Sequence, residues 1–203
     1  MTESANDELQ QLQAGGVDAI ADLFSNYRDQ LEHMIGFRMD QRLRGRIDPS
    51  DVLQEAYLQM AKRVDSYLEN PGVSFYVWMR QLTYQTLIDQ HRLHFRSKRG
   101  LGQEVRRNSS FNATTYSIAG MLEGHVTSPS GAMQREEEKE RLHMALETMD
   151  DIDREVLALR HFEQLPNKQV AEVLGIGITA ASNRYVRAMS RLGEILTNLG
   201  NDD

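Results

Sequence analysis

Apolar residues recur at spacings of three and four in three stretches of the N-terminal half, and this periodicity predicts amphipathic α-helices. The stretches cover residues 19–39, 46–64 and 74–95, and the third follows the helix-breaking sequence Asn-Pro-Gly at 70–72. The apolar stripes of the first two predicted helices consist of Ile20, Leu23, Phe24, Tyr27, Leu31, Met34 and Ile35, and then of Val52, Leu53, Ala56, Tyr57, Met60 and Val64.

The same periodicity returns in the C-terminal half. It predicts helices over residues 134–149 and 151–162 and a closely spaced helix pair between Leu165 and Leu192. Since no strand-like alternation of useful length occurs, we predict an all-α fold with two small helical domains. The core of the second domain is expected to include Leu142, Leu146, Met149, Ile152, Val156, Leu157 and Leu159.

Between these halves, residues 97–133 are rich in glycine, serine and asparagine and lack helical periodicity. This composition predicts a flexible linker, either a simple tether or a segment with an active role in a partner's channel. We therefore expect a polar N-terminal tail over residues 1–18, one domain over 19–96 and a second over 134–200.

The composition excludes several classes of function. No cysteine occurs among the 203 residues, so disulfides, thiolate metal sites and cysteine nucleophiles are excluded. The polar, acidic N-terminus is not a secretory signal, and no apolar run is long enough to span a bilayer, which predicts a cytoplasmic protein without membrane contact. HExxH, GxSxG and phosphate-loop motifs are absent, so we expect no catalytic residue and no cofactor.

Charge is unevenly distributed along the chain. The net charge is −7, yet basic residues cluster in HRLHFRSKRG at 91–100, whereas acidic residues gather at 48–55 and 136–140. This distribution suggests one surface for nucleic acid and another for a basic protein partner, although such clusters also occur as plain solvated faces. His91 and His94 have no further ligand in view, so no metal site is predicted.

The segment from Leu165 to Leu192 has the layout of a helix-turn-helix. Gly175 lies where the chain must turn sharply with little room for a Cβ. The second helix of such a motif enters the major groove, so the pattern predicts DNA binding, while the alternative is a helical hairpin that only packs. Apolar Ala181, Tyr185, Ala188 and Leu192 fall on one side of the second helix, and Ser182, Asn183, Val186, Arg187 and Ser190 form much of the other.

Motifs in both halves carry a family resemblance. DPSDVLQEAYLQ is followed by a helix in which Trp78, Met79, Leu82, Asp89 and Arg92 keep a fixed register, and LPNKQVAEVLGIG is followed by NRYVRAMSRL. In this order, and separated by a polar linker, these motifs resemble bacterial RNA polymerase sigma factors of the extracytoplasmic-function class. The resemblance covers most of the chain.

The resemblance implies a dissociable promoter-specificity subunit. Its expected partners are core RNA polymerase, through the clamp helices of the largest subunit and the flap, and promoter DNA at the minus-thirty-five and minus-ten elements. Family members are often held by an anti-sigma factor. The alternative is an ordinary helix-turn-helix regulator that acts without core polymerase.

Three sets of site residues follow from the resemblance. Core binding is expected from four residues spaced to share one helical face, of which Asp48 serves equally well as a helix cap beside Pro49. Trp78 is expected in the core rather than in the minus-ten site, and Arg184 makes either a phosphate or an intramolecular contact.

Asn167 and Thr179 are expected to cap the two helices of the helix-turn-helix, since Pro166 and Gly177 replace the usual serines. The core-binding set is Asp48, Asp51, Gln54 and Glu55; the minus-ten set is Tyr76, Arg80, Tyr84, Gln85, His91, Arg92 and Arg96; the minus-thirty-five set is Thr179, Ser182, Asn183, Arg184, Val186 and Arg187.

Overall fold

The computed structural model describes residues 3–40, 43, 45–96 and 141–201, but not the side chains of residues 3–6, 17, 95, 96, 200 and 201. The chain divides into two compact units, Met1–Val105 and Arg106–Asp203. All regular elements described are helical, which agrees with the predicted all-α class. The linker predicted over 97–133 and the start of the next helix at 134–140 lie outside the described residues.

Three helices build the first unit: α1 (Glu3–Arg38), α2 (Pro49–Glu69) and α3 (Phe75–Arg96). Each packs against the other two. Burial follows the predicted stripes, since Ile20, Leu31 and Val52 are fully buried while Tyr27 and Tyr57 are half-buried at the edge. Hydrophobic periodicity therefore located the core of this unit correctly.

The prediction of a polar N-terminal tail over residues 1–18 is wrong for residues 3–18, which belong to helix α1. Helix α1 begins at Glu3 and is kinked at Gly16, whose φ of 53° and ψ of −130° are not helical. Leu12 is fully buried, and the Tyr27 hydroxyl hydrogen-bonds the Glu8 carboxylate. Burial, followed by this carboxylate, raises the pKa of Tyr27 above its usual value. The segment before Gly16 is thus part of the folded unit.

The second unit contains a helix over residues 141–148, here α4, then α5 (Asp151–Leu157), α6 (Asn167–Leu174) and α7 (Ile178–Asn201). The helix predicted over 151–162 is continuous, but its last turn, Ala158–Phe162, is a π-helix. Helices α5 and α6 both pack on α7. Arg154 donates from Nη1 to the Leu146 carbonyl at 3.0 Å, which caps the end of α4.

A left-handed residue closes α6. Gly175 adopts φ 65° and ψ 32°, and the Ile176 N–H bonds the Ala171 carbonyl at 3.0 Å. This is the Schellman pattern that glycine favours at a helix end, so the sharp turn predicted at Gly175 is confirmed. Within the described residues, no helix is both long enough and apolar enough to cross a membrane.

Candidate functional site

The acidic start of α2 is shaped by a helix cap. Asp48 is the N-cap residue, and its Oδ1 accepts a hydrogen bond from the Ser50 backbone N–H at 2.8 Å. That bond holds the pKa of the Asp48 carboxyl below its usual range. Of the two roles open for Asp48, the structure therefore shows the cap.

The remaining three residues of this set share one side of α2. Asp51 and Gln54 are exposed, and Glu55 is half-buried and accepts from Gln59 Nε2 at 2.8 Å. Leu58 lies one turn further on the same side and is 50% exposed. Our sequence reasoning missed Leu58, although its spacing of four from Gln54 and seven from Asp51 places it on this surface.

Two residues of the predicted minus-ten set are not on the surface. Tyr76 and Arg80 are 1% and 3% exposed, so their assignment to a DNA-binding surface is wrong. The Tyr76 ring packs on Tyr27, and the Arg80 guanidinium lies 5.8 Å from the Tyr84 ring centre. Helix α3 is buried on several sides near its start, because α1 and α2 both contact it, and a single apolar stripe does not describe it.

Aromatic rings gather where α2 approaches the start of α3. Trp78 stacks on Tyr67 at 4.7 Å and on Phe75 at 5.5 Å between ring centres. Tyr67 is also tied to the loop, since its hydroxyl donates to the Val73 carbonyl at 2.9 Å. Trp78 is half-buried, which makes it a packing residue with one accessible side.

The exposed part of α3 carries a polar network. Gln85 donates from Nε2 to both carboxylate oxygens of Asp89, at 3.0 and 3.1 Å, and Arg92 donates to Asp89 Oδ1 at 3.3 Å. Tyr84 and His91 are half-buried on the same helix. The Arg96 side chain lies outside the described residues. Four of the predicted residues thus reach the surface along one helix.

In the second unit, α7 has the two faces predicted from the sequence. Ala181 and Ala188 are fully buried, whereas Val186 is 63% exposed. Arg187 is exposed as well, which keeps its guanidinium in solvent. Ser182, Asn183 and Ser190 are also exposed.

Arg184 makes the intramolecular contact. Its Nη1 lies 2.9 Å from Asp153 Oδ1 in a mostly buried ion pair that ties α7 to α5. The assignment of Arg184 to DNA is therefore corrected, because breaking such a pair leaves Asp153 buried and unpaired.

Neither predicted cap of the helix pair is found. Position 166 is the N-cap of α6 and makes no side-chain cap, while Thr179 lies inside the first turn of α7. Asn167 instead donates from Nδ2 to the Ile178 carbonyl and to Ser182 Oγ, both at 2.9 Å. This side chain joins the starts of the two helices.

Comparisons with known proteins identify the family of this chain. Residues 2–195 match the ECF sigma factor family. RNA polymerase sigma factor YlaC of Bacillus subtilis is 23% identical over 180 residues, covering 89% of this chain and 93% of that protein. ECF RNA polymerase sigma factor SigW of Bacillus subtilis is 23% identical over 196 residues, with 94% and 96% covered.

A solved structure shows the same fold. CnrH, determined in complex with the cytosolic domain of CnrY, has a TM-score of 0.53 at 19% sequence identity, covering 97% of this chain and 99% of that one. The family match extends over nearly the whole sequence, so the chain belongs to the ECF sigma factor family. It is a transcription initiation factor that works with RNA polymerase at promoters.

Proposed function

We propose that the two units divide promoter recognition between them. The first unit binds core polymerase through α2 and holds the melted minus-ten strand along α3, and the second reads the minus-thirty-five element with α7. The observation that carries this proposal is that α7 has one buried side and one exposed side. Two buried alanines attach the helix, so its exposed side chains are available for a ligand.

The chemistry of this face suits the major groove. Arg187 is placed to donate to guanine and Asn183 to adenine, and the Val186 methyl groups suit the methyl group of thymine. Ser182 Oγ accepts from Asn167, which leaves the hydroxyl proton for an acceptor on DNA. Thr179 stands at the start of the helix, next to where a phosphate would pass.

The core-binding surface consists of Asp51, Gln54, Glu55 and Leu58. The negative charges on the exposed turns favour a basic partner, and the exposed Leu58 side chain adds apolar area for that partner to cover. For the minus-ten strand, α3 offers an aromatic ring, an amide and cations, which are the groups that hold unpaired bases and phosphates. These groups are Tyr84, Gln85, His91, Arg92 and Arg96.

We further propose that the protein works in the cytoplasm and is no enzyme, since polymerase performs the chemistry. A regulator that masks the core-binding surface is part of this proposal, because CnrH is known in complex with the cytosolic domain of CnrY. Polymerase also supplies much of the DNA affinity. A reader with a net charge of −7 therefore needs only modest contacts of its own.

In vitro transcription with purified core polymerase tests the proposal. The chain should co-elute with core and direct initiation from promoters of its own genome. A regulator that acts without polymerase would bind DNA but would neither co-elute nor initiate, and that result would refute the proposal.

The variant Arg187→Ala tests the assignment of α7. One lost base contact is worth about 1–3 kcal/mol, so initiation that depends on the minus-thirty-five element should fall by roughly 5- to 150-fold. Core binding should be unchanged. Arg28→Ala, which removes an exposed arginine from α1, is the control and should change neither initiation nor core binding. Loss of core binding by Arg187→Ala would show that α7 is assigned wrongly.

A further inference from the structure

Asp89 is the centre of the polar network on α3. It lies four residues after Gln85, a spacing that places the two side chains on one helical face. The Gln85 Nε2 is within 3.1 Å of both carboxylate oxygens, and Arg92 contacts the same carboxylate from the next turn. Asp89 therefore holds two side chains of the proposed minus-ten surface at once.

The chemistry of a carboxylate fixes the direction of the Gln85 amide. An ionised carboxylate only accepts hydrogen bonds, so the NH₂ group must face Asp89 and the carbonyl oxygen must point away from it. A glutamine without this neighbour presents a donor or an acceptor equally well. Beside Asp89, Gln85 presents an acceptor.

Gln85 and Asp89 line a groove between α2 and α3 with a volume of about 410 Å³, which is within the range of pockets for small ligands. On the α2 side, the Glu55 carboxylate lines the same groove and accepts from Gln59. Leu82 and Leu93 add apolar surface. Arg63 and Gln90 line this groove as well, so it offers donors and acceptors beside apolar walls, which suits a flat heterocyclic ring.

We propose that Asp89 is a positioning residue that sets the base preference of the minus-ten site. By turning Gln85 into an acceptor, it selects an unpaired base with an amino group at purine C6 or pyrimidine C4, adenine or cytosine, over one with a keto group at that position, guanine or thymine, at one position of the melted strand. The inference rests on the proposed function, in which α3 holds that strand.

Premelted promoter templates isolate this preference, because the non-template base is changed while the opposite strand stays constant. Transcription by the full chain with core polymerase is measured for cytosine against thymine and adenine against guanine at each minus-ten position. One hydrogen bond predicts an amino-to-keto ratio of about 2- to 10-fold at one position. Asp89→Asn should bring that ratio to about one, because the new amide accepts either orientation of Gln85.

The swapped pair Gln85→Glu with Asp89→Asn provides a rescue. It keeps the total charge, and the new asparagine donates to the new glutamate, which again presents an acceptor, so the preference should return. A purely structural role for Asp89 predicts no rescue. Asp29→Asn removes an exposed carboxylate from α1 and should leave the ratio unchanged.

Three results would overturn the inference: a wild-type ratio of one at every position, an unchanged ratio in Asp89→Asn, or no recovery in the swapped pair. Core co-elution and Trp78 fluorescence confirm that each variant is folded. A complete absence of transcripts from all templates, with the wild-type chain, would instead refute the proposed function and the inference with it.

Discussion

Replacing Leu12 tests whether the segment before the Gly16 kink is part of the first unit. Leu12 is fully buried, and its neighbour Gln13 is exposed on the same helix. Truncating a buried leucine to alanine costs about 2–5 kcal/mol, because apolar contacts are lost and a cavity remains. Gln13→Ala should change the free energy of unfolding by less than about 0.5 kcal/mol.

The magnitude translates into a large shift of the unfolding midpoint. With about 3 kcal/mol lost and a urea m value of about 1–3 kcal/mol per molar, the midpoint should fall by roughly 1–3 M. Thermal unfolding should shift by roughly 12–24 °C, at about 4–8 °C for each kcal/mol in a unit of this size.

Fluorescence of Trp78 is a suitable assay, because it is the only tryptophan in the sequence and lies in the first unit. The signal therefore reports the unfolding of that unit in the full chain. If Leu12→Ala and Gln13→Ala have the same midpoint, the N-terminal segment does not contribute to the core and our description of α1 is refuted.

Two further predictions concern a buried phenol and a helix end. Because the pKa of Tyr27 is raised in the folded protein, the stability that its neutral hydroxyl contributes is complete below about pH 10 and is lost as the pH rises above that value. Tyr27→Phe should lower the free energy of unfolding by about 1 kcal/mol near neutral pH. In alkaline solution, the unfolding midpoint followed by Trp78 fluorescence should decline less steeply in this variant than in the wild type. A steeper decline would contradict this. A methyl group at position 175 or 193 would meet open space, so the two glycines differ only in backbone conformation. Gly175→Ala places alanine at φ 65° and should lower the free energy of unfolding by about 1–2 kcal/mol. Gly193→Ala lies within α7 and should raise it. Hydrogen exchange of α7 amides should accelerate at least about fivefold in the first variant and slow in the second; equal effects would show that the left-handed turn is not strained by alanine.

The sequence predicted the helices best where one face is apolar and the other polar. Asp48 beside Pro49 was one of the starts that the sequence allowed for α2, Gly175 indicated the end of α6, and the structure has a cap and a left-handed turn at these residues. In these places the local signal, a cap or a left-handed glycine, acts without help from tertiary contacts.

Sequence reasoning failed where tertiary contacts decide. Before Gly16, one buried leucine gives no periodic stripe, so the helical segment resembled a polar tail. In α3, burial from two neighbouring helices covers polar Arg80 as well as Tyr76, and periodicity does not show that. Contacts between distant residues, such as Arg184 with Asp153, are not encoded in local spacing at all.

The way α7 is attached to the second unit affects how such a protein can evolve. Asn167 joins α6 and α7 by exposed hydrogen bonds, while Ala181 and Ala188 fill the interior with little more than methyl groups. Substitutions on the outward side of α7 therefore leave the hydrophobic core intact. After a gene duplication, the second unit would be able to acquire a new promoter preference through a few surface changes, without a compensating change in the interior.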